Sequence, residues 1–456
     1  MRLTIVGGGG FRVPLVYRAL SMGRQAGLID SVMLHDVEES RLHGIRAVLE
    51  SMPFQGPGIE VSTSLETALD AADVVFAATR VGGAAGRVHD ERVALDLGVL
   101  GQETTGAGGI SYALRSIPYM LHLARTMQER CPSAWLVNFT NPAGMVTQAL
   151  HPVLGHRVIG ICDSPIGLVR RAARAANFEL RGLAGVDYMG LNHLGWLRAL
   201  RQPVPGQGEV DLLPALLDSP ARLETFEEGR LFGAEFLHRL GSLPNEYLFY
   251  YYRHWEALNA IRSVEQTRGE SIAQAQDLLY PTLEGPQAFD RWDRARRARE
   301  EGYLAEARGQ SEERDEADLV GGGYEEVALA AMKALLTESG TGPRGPGQGS
   351  TELILNVRNG TTLADFAEDA VIEVPSRVDS SGAHPLPLDA PTGSQLDLMR
   401  QIKAVETAVV RAATYGERDQ ALLAFSLHPL VADADLAARL LSGYEAAFPA
   451  LLDLWA

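Results

Sequence analysis

Up to about Leu200, short apolar stretches alternate with longer amphipathic ones. The alternation predicts strands at residues 2–6, 31–36, 74–78, 134–138 and 158–162. Amphipathic stretches such as 111–129 and 165–177 predict helices between these strands. Regular strand–helix alternation is typical of an α/β fold with a parallel, doubly wound sheet. We expect the loops after the strands to meet at one rim, because ligands of such sheets bind at the carboxyl ends of the strands.

Beyond Leu200 the pattern changes, after the turn-forming residues 202–206. Long helical patterns dominate from there, interrupted by β-like segments at 352–357 and 370–374. A Gly/Pro-rich stretch at 340–349 predicts a flexible connection, and an acidic run at 312–318 predicts a solvated helix face. We therefore predict a doubly wound domain at residues 1–198 and a mainly helical α+β domain at residues 199–456.

Composition narrows the class of protein. The chain has 456 residues, of which 46% are hydrophobic and 22% charged, and this predicts a soluble globular protein. The formal net charge of −17 argues against nucleic acid or an anionic membrane as a partner. Cys131 and Cys162 form no disulfide framework and fit a reducing compartment. With no signal-peptide pattern and no apolar run of membrane-spanning length, we expect a cytoplasmic protein.

Four glycines, Gly7, Gly8, Gly9 and Gly10, follow the first predicted strand. The backbone N–H groups of such a turn bind a pyrophosphate at the start of the next helix. The third glycine of the usual fingerprint is absent, so the run by itself also fits a tight strand–helix turn. Asp36 ends the second strand, where an acid binds the ribose hydroxyls of adenosine and disfavours a 2′-phosphate. Together these residues predict a Rossmann-like site for NAD rather than NADP.

Two short segments downstream, CDSP at 162–165 and GLNH at 190–193, carry metal-type donors. A lone cysteine at a strand end usually packs as a small apolar residue, and a lone histidine is usually a satisfied core group. A metal-binding role for Cys162 and His193 is favoured because both fall on the predicted rim. A thiolate and an imidazole would leave a divalent metal open to substrate oxygens, as a catalytic site requires.

Three further stretches carry candidate polar groups. The glycine-rich loop 101–109 contains Glu103 and is of the kind that lines a ligand. Asn138 ends a strand and is either a cap or, as we predict, a cofactor contact. The aromatic segment 244–253 fits core and interface packing, although a nearby cation or metal would let one of its tyrosines act as a base.

Taken together, these stretches resemble glycoside hydrolase family 4, which is NAD-dependent and does not use the usual pair of carboxylates. The resemblance extends over nearly the whole chain. It implies a nucleotide-binding domain followed by a C-terminal domain of the lactate and malate dehydrogenase type, for substrate, catalysis and oligomer contacts. The matching stretches are residues 5–9, 101–109, 138–144, 160–165, 190–193, 245–252 and 426–429.

The resemblance implies a mechanism that begins with oxidation of the sugar. NAD takes a hydride from C3, which acidifies the proton on C2, and a metal bound to the C2 and C3 oxygens stabilises the enediolate. The C1–oxygen bond then breaks by elimination, water adds, and NADH returns the hydride. The implied enzyme is an O-glycosyl hydrolase with a closed redox cycle.

The resemblance also implies roles by position. Cys162 and His193 match the family's metal ligands, which usually hold manganese. Tyr247 matches the base that acts at C2. Asp163 matches the acid that protonates the leaving group in members that cleave α-linkages.

The implied substrate is a phosphorylated sugar. Arg87 and Arg268 resemble positions that hold a sugar phosphate, and an arginine pair suits a phosphate dianion. Asn141 matches a contact to a substrate hydroxyl, and we place Glu103 among the substrate contacts as well. We expect a 6-phosphoglucoside or a phosphorylated disaccharide as the substrate and a homodimer or homotetramer as the assembly.

Alternatives remain at this point. Asp163 favours a 6-phospho-α-glucosidase or an α-galactosidase of the same family. Residues 101–109 and 247–252 look more like the 6-phospho-β-glucosidase branch, which we take as the prediction. A different alternative is an NAD-dependent 2-hydroxy-acid dehydrogenase, which shares the nucleotide fold but requires no metal.

Overall fold

The computed structural model describes residues 1–22, 27–206, 208–302, 323–337 and 349–456. The acidic run at 312–318 and residues 340–348 of the Gly/Pro-rich stretch lie outside the described residues, so both interpretations stay predictions. Within the described residues, no helix combines the length and the apolar character that crossing a membrane would require.

Thirteen strands form one mixed sheet within the described part of the chain. In chain order they are β1 (Arg2–Val6), β2 (Ser31–His35), β3 (Gly58–Ser62), β4 (Val74–Ala77), β5 (Trp135–Asn138), β6 (Val158–Gly160), β7 (Val186–Leu191), β8 (Leu194–Val204), β9 (Gly208–Asp211), β10 (Leu243–Pro244), β11 (Thr351–Arg358), β12 (Val371–Asp379) and β13 (Gly382–Pro385).

The first six strands form the parallel half of the sheet, in the order β3–β2–β1–β4–β5–β6. This is the strand order of doubly wound nucleotide-binding folds, and it confirms the predicted fold class. All five strands predicted from the alternation are present. The sixth, β3, lies at the sheet edge with no buried residue, so it has no apolar stretch by which the sequence would reveal it.

The later strands extend this same sheet beyond β6. Strand β11 pairs antiparallel with β6, and β12, β7, β8 and β10 follow in that order, all antiparallel. Strands β9 and β13 pair with β8 and β12 at the side. The predicted division after residue 198 falls within β8, and it stays a prediction.

Helices cover both faces of the sheet. They are Val13–Met22, Glu39–Glu50, Leu65–Leu69, Gly83–Asp96, Gly106–Arg130, Ala143–Leu154, Ser164–Ala176, Leu213–Leu217, Pro220–Leu223, Glu227–Phe232, Ala234–Leu240, Phe249–Tyr252, His254–Ser263, Arg268–Leu279, Ala288–Glu301, Tyr324–Leu336, Gly393–Tyr415, Arg418–Leu427, Ala434–Ala447 and Ala450–Trp455. Short 3-10 turns are Gly155–Arg157, Glu246–Leu248, Tyr280–Thr282 and Gly285–Gln287.

The apolar core lies in two clusters, one on each face of the sheet. In β4, Val74 and Phe76 belong to one cluster, whereas Val75 and Ala77 belong to the other, as the alternation of side chains along a strand requires. Helix Gly106–Arg130 packs into the second cluster. Because both faces are covered, the exposed carboxyl-end loops of the parallel strands are the natural place for a ligand.

Candidate active site

A cleft of about 770 Å³ opens where the parallel strands end. The predicted site residues that line it are Gly7, Gly10, Asp36, Arg87, Glu103, Asn141, Cys162, Asp163, His193, Tyr247 and Arg268. These residues come from widely separated parts of the chain, so their convergence is a result of the fold. Three predicted residues, Gly8, Gly9 and Asn138, do not line the cleft.

The glycine turn follows β1, and the backbone N–H groups of Gly7 and Gly8 donate to the carbonyl oxygen of His35 at the end of β2. Gly7 has φ of +89°, and a Cβ there would lie 2.5 Å from the carbonyl oxygen of Ala78, so only glycine fits. The Gly9 N–H donates to a carboxylate oxygen of Asp36 at 3.0 Å. Gly10 and the start of helix Val13–Met22 face the cleft. A bare turn ahead of a helix N-terminus fits a pyrophosphate, with Asp36 beside it for a ribose.

Asn138 supports the loop that carries Asn141. Its side-chain amide donates to the Thr140 carbonyl at 3.2 Å and its side-chain oxygen accepts from the Thr140 N–H at 3.0 Å. Asn138 is fully buried and turned inward, away from the cleft where its predicted cofactor contact would be. In the described residues, Oδ1 of Asn141 is buried without a hydrogen-bond partner, which suits a contact to a substrate hydroxyl.

His193 occupies the tight turn between β7 and β8 with φ of +61°. Burial lowers the pKa of its imidazole to about 4, so the ring is neutral near pH 7. Its Nδ1 is buried and has no hydrogen-bond partner within the part of the chain that the structure describes. A neutral imidazole with an unpartnered nitrogen fits a metal ligand.

Cys162 follows β6 and lines the same cleft. Burial raises the pKa of its thiol well above the usual range, and the nearby carboxyls of Glu373 and Asp163 raise it further. A thiol in these surroundings becomes a thiolate only beside a cation. No group of three or more His, Cys, Asp or Glu in the described residues is arranged for a metal, so the Cys162–His193 pair would rely on substrate or water oxygens to complete the coordination.

Tyr247 lies directly against His193. The two rings stack with centroids 3.8 Å apart and planes 5° apart. Tyr247 belongs to the 3-10 turn Glu246–Leu248, and the side chain of Asn245 accepts from its backbone N–H at 3.0 Å. The stacking puts the predicted base in contact with a predicted metal ligand.

Glu246 was not among the predicted site residues, although it lines the cleft. The Ser164 hydroxyl donates to its carboxylate at 2.6 Å, which joins the turn of Tyr247 to the loop of Cys162 and Asp163. Burial raises the pKa of Glu246 to about 7, and the neighbouring Glu228 raises it as well. The sequence offers no signal beyond its position next to Tyr247.

An arginine cluster forms the other end of the cleft, around Glu103. Arg87 donates to Glu103 at 2.6 Å and to Glu91 at 2.9 Å, and Arg80 also pairs with Glu103. Burial raises the pKa of Glu103, but the charges of Arg80, Arg87, Arg299 and Arg268 outweigh it and bring the pKa to about 2. Glu103 is therefore ionised and holds arginines in place, whatever contact it also makes to substrate.

Arg299 joins this cluster from helix Ala288–Glu301. Burial lowers its pKa to about 9, together with the positive charges of Arg12, Arg87 and Arg268. Burial is the main cause of this shift, and the repulsion from the neighbouring arginines, which adds to it, is what a bound anion would relieve. The sequence did not point to Arg299, because its arginine-rich stretch is typical of a solvent-exposed helix face.

Asp163 and Arg268 lie at the start of helices. Asp163 precedes helix Ser164–Ala176, and its carboxylate lies 3.8 Å from the Arg12 guanidinium. Arg268 is the first residue of helix Arg268–Leu279, and a capping box of Thr267 and Glu270 stabilises the N-terminus of this helix. Both side chains thus project into the cleft from helix N-termini whose positions are fixed.

A nucleotide-type turn and metal-type donors open into one cleft, which defines a cofactor-dependent enzyme rather than a hydrolase with two carboxylates. The chain belongs to family 4 of the glycosyl hydrolases. The model for "Family 4 glycosyl hydrolase" matches residues 2–178, and the model for its C-terminal domain matches residues 188–431. Membership confirms the resemblance found in the sequence and excludes the dehydrogenase alternative.

Relatives of both anomeric specificities are similar to this chain. A 6-phospho-beta-glucosidase of Escherichia coli is 30% identical over 393 residues, covering 82% of this chain and 78% of that protein. A 6-phospho-alpha-glucosidase of Lacticaseibacillus paracasei is 29% identical over 460 residues, covering 96% and 95%. The structure of the 6-phospho-beta glucosidase from Thermotoga maritima with NAD and glucose-6-phosphate has a TM-score of 0.78 at 25% identity, covering 99% of each chain. A further structure of that enzyme contains manganese as well.

Proposed function

We propose that this family 4 hydrolase cleaves 6-phospho-β-glucosides with the help of NAD and a divalent metal, most readily manganese. The observation that carries the proposal is that Cys162 and His193, the latter stacked on Tyr247, share one cleft with a cluster of arginines. The first arrangement suits chemistry at a sugar carbon, and the second suits a phosphate on the same sugar.

The glycine turn and Asp36 would hold NAD. When bound, NAD would accept a hydride from the sugar and return it at the end of the cycle. Gly7 and Gly10 leave room for the pyrophosphate, and the Asp36 carboxylate, anchored by Gly9, would bind the ribose hydroxyls.

Cys162 and His193 would hold the metal, which when bound would polarise the oxygens on C2 and C3 of the sugar. Tyr247 takes the proton from C2, because it lines the same cleft and its ring stacks on His193. Asp163 gives a proton to the leaving oxygen or orients the water that adds at C1. Asn141 fixes the sugar by accepting from a hydroxyl through its unpartnered Oδ1.

The arginine cluster anchors the 6-phosphate. Arg268 and Arg299 would contact the anion, although Arg268 also donates to the carbonyl oxygen of Gly302. Arg87 lines the cleft as well and is engaged by Glu91 and Glu103. A dianion between these guanidiniums would make charge-assisted hydrogen bonds and offset their mutual repulsion. Because the covalent geometry of the sugar relates C6 to C2, an anchored phosphate would also position the C2 proton that Tyr247 removes.

A 6-phospho-α-glucosidase is the second candidate. Asp163 lines the cleft next to Cys162, its neighbour in the chain, with its carboxylate 3.8 Å from the Arg12 guanidinium, and this position suits a leaving-group acid. Relatives of both kinds are similar over most of the chain. An assay on paired α- and β-linked substrates therefore decides between the two.

The test uses nitrophenyl α- and β-glucoside 6-phosphates with NAD, manganese and a thiol reductant. We expect turnover of the β-linked phosphate, none without NAD, and no accumulation of NADH. Loss of activity with EDTA and recovery with manganese would support the metal site. Build-up of NADH in proportion to product, or equal turnover of plain glucosides, would overturn the proposal.

We also propose that the enzyme is cytoplasmic and works as a homodimer or homotetramer. A thiolate ligand at Cys162 needs a reducing compartment to remain a thiolate. Large apolar side chains such as Trp255 and Leu278, each 71% exposed, are candidates for burial between subunits. Sedimentation of the purified chain measures the assembly directly, and a single species at the mass of one chain would contradict it.

A further inference from the structure

Two strands from near the end of the chain separate the proposed metal ligands. Cys162 follows β6 and His193 follows β7, but these strands are not neighbours in the sheet. Strands β11 and β12 lie between them, in the order β7–β12–β11–β6. The spacing of the two ligands is therefore set by a segment that lies far from Cys162 along the chain. The separation is about two hundred residues, roughly the length of a whole domain.

One row of residues crosses these four strands just before the ligands. Gly160 of β6 is opposite Asn356 of β11, Asn356 is opposite Glu373 of β12, and Glu373 is opposite Gly190 of β7. Gly160 has no room for a side chain, because a Cβ would lie 2.8 Å from the Cβ of Asn356. The row thus fits closely around Asn356 and Glu373.

Glu373 is the centre of a hydrogen-bonded network in this row. Its carboxyl accepts from the side-chain amide of Asn356 at 3.0 Å and from the Tyr188 hydroxyl at 3.0 Å. The side-chain amide of Asn192, the neighbour of His193, donates to it at 3.5 Å. The side-chain oxygen of Asn192 in turn accepts from the Ala143 N–H at 3.0 Å, next to the Asn141 loop.

Burial of Glu373 is complete, and its three hydrogen-bond donors are neutral side chains. A buried carboxyl is costly unless the structure uses it, and packing alone would be served by an apolar residue. The catalytic steps proposed above do not use it, since it does not line the cleft. Its contacts lead instead to the strand and turn that carry His193 and, through Asn356, to the strand before Cys162.

We propose that Glu373 is a positioning residue of the metal site. With Asn356 it fixes the separation of the strand ends that carry Cys162 and His193, and through Asn192 it orients the turn of His193. The inference rests on the proposed function, because it takes these two residues as the metal ligands. Partners that orient metal ligands from behind typically contribute roughly 10–100-fold in metal affinity.

The experiment measures manganese binding to the metal-free full-length chain by calorimetry, with NAD binding measured on the same preparations. Glu373→Ala should weaken manganese binding by roughly 10–100-fold while the NAD affinity stays at the parental value. Glu373→Gln keeps an oxygen that accepts from Asn356 and should restore most of the affinity. Ser376→Ala, at a fully buried polar position of the same strand, is the matched control and should bind manganese like the parent.

Manganese affinity of Glu373→Ala within threefold of the parent would overturn the proposal, and so would equal losses in Glu373→Ala and Ser376→Ala. If Glu373→Ala fails to bind NAD and is misfolded, Asn192→Ala cuts the link to the His193 turn and carries the same expectation. Cys162→Ser tests the underlying assignment separately. Unchanged manganese binding in Cys162→Ser would refute the proposed ligand pair. If Cys162→Ser loses manganese but Glu373→Ala binds it like the parent, only the positioning role of Glu373 is refuted.

Discussion

At the scale of single residues, the contact between Tyr247 and His193 is the feature most closely tied to the chemistry. A phenol is a weak base unless a neighbouring positive charge stabilises its phenolate form. A ring stacked at 3.8 Å on the imidazole that we propose as a metal ligand would have such a charge nearby when the metal is bound. The stacking also fixes the direction of the hydroxyl, so the base does not have to be ordered when substrate binds.

Tyr247→Phe should therefore abolish proton removal at C2 and leave the binding of NAD and manganese unchanged. The ring still stacks on His193, and only the hydroxyl is lost. In deuterated water the parental enzyme should place deuterium at C2 of the product sugar, and the variant should form no such product. Tyr252→Phe, which loses a hydrogen bond from Trp196 outside the cleft, is the control and should still incorporate deuterium. An active Tyr247→Phe would move the role to another residue.

The arginines of the cluster around Glu103, which we propose to bind the phosphate, differ in what a substitution would measure. Arg87 is 6% exposed and pairs with both Glu91 and Glu103. Arg87→Ala would remove the ion pair of the buried Glu91, although Arg80 would still pair with Glu103, and should cost about 3–5 kcal/mol of stability. Its loss of activity would report on folding as much as on binding.

Arg268→Ala is the sharper test of phosphate recognition. Loss of one charge-assisted contact should raise the activation free energy that corresponds to kcat/KM by about 1.5–3 kcal/mol for the 6-phosphoglucoside. The value for the plain glucoside should be nearly unaffected. The measurement is the ratio of the two kcat/KM values. Arg297→Ala, on the exposed side of helix Ala288–Glu301, is the control and should not change that ratio. The same loss on both substrates in Arg268→Ala would contradict the phosphate assignment.

At the scale of elements, the local pattern of the sequence was sufficient for five of the six strands in the parallel half of the sheet, all except β3. The strands with buried apolar stretches, such as β1 and β4, were predicted, and their terminal loops supplied most of the cleft. The order β7–β12–β11–β6 was not predictable, because the pairing of distant strands leaves no local periodic signal. Glu246, Arg299 and Glu373 were missed for the same reason: only the fold brings them to the site.

Helix Arg268–Leu279 allows an element to be tested through its cap. The Thr267 hydroxyl accepts from the Glu270 N–H at 3.2 Å, and Glu270 accepts from the Thr267 N–H at 2.8 Å. Thr267→Ala should reduce the free energy of unfolding by about 0.5–2 kcal/mol and raise KM for the phosphorylated substrate, because Arg268 is the first residue of the helix. Urea unfolding and steady-state kinetics measure the two effects. Thr267→Ser keeps the cap and should behave like the parent; a loss of the same size in Thr267→Ser would assign the effect to packing of the methyl group.

At the scale of the whole molecule, buried titratable groups act on stability with opposite signs. Burial lowers the pKa of His193 to about 4 and that of His428 to about 3, so the unfolded chain binds protons below pH 6.5 that the folded chain does not. Stability from these groups is lost as pH falls. Burial raises the pKa of Glu246 and of Glu373 to about 7, so the folded chain holds protons that the unfolded chain releases above pH 4.5. Stability from these groups is lost as pH rises.

A substitution of His428 separates the contribution of the buried histidines to the pH dependence of stability from that of the buried glutamates. His428 is buried, and its Nδ1 accepts from the Leu430 N–H at 3.2 Å, so protonation would both bury a charge and break a hydrogen bond. In His428→Asn the side-chain oxygen can still accept this hydrogen bond, but the side chain no longer titrates. The glutamates are the same in both proteins, so their contribution cancels in the comparison. Between pH 6.5 and about 3, the free energy of unfolding of the parent should fall more steeply than that of the variant. The difference in slope should approach about 1.4 kcal/mol per pH unit, the value for one proton.

The measurement is urea unfolding of the metal-free chain at a series of pH values, so that metal bound at His193 does not contribute. His238→Asn replaces an exposed histidine that pairs with Asp218 and serves as the control. Because the substitution lies at the surface, this variant should follow the parental slope. Parallel curves for the parent and His428→Asn would show that the folded chain accepts a proton at His428 as readily as the unfolded chain. Burial would then not hold its imidazole neutral, and acid lability would have to come from other groups.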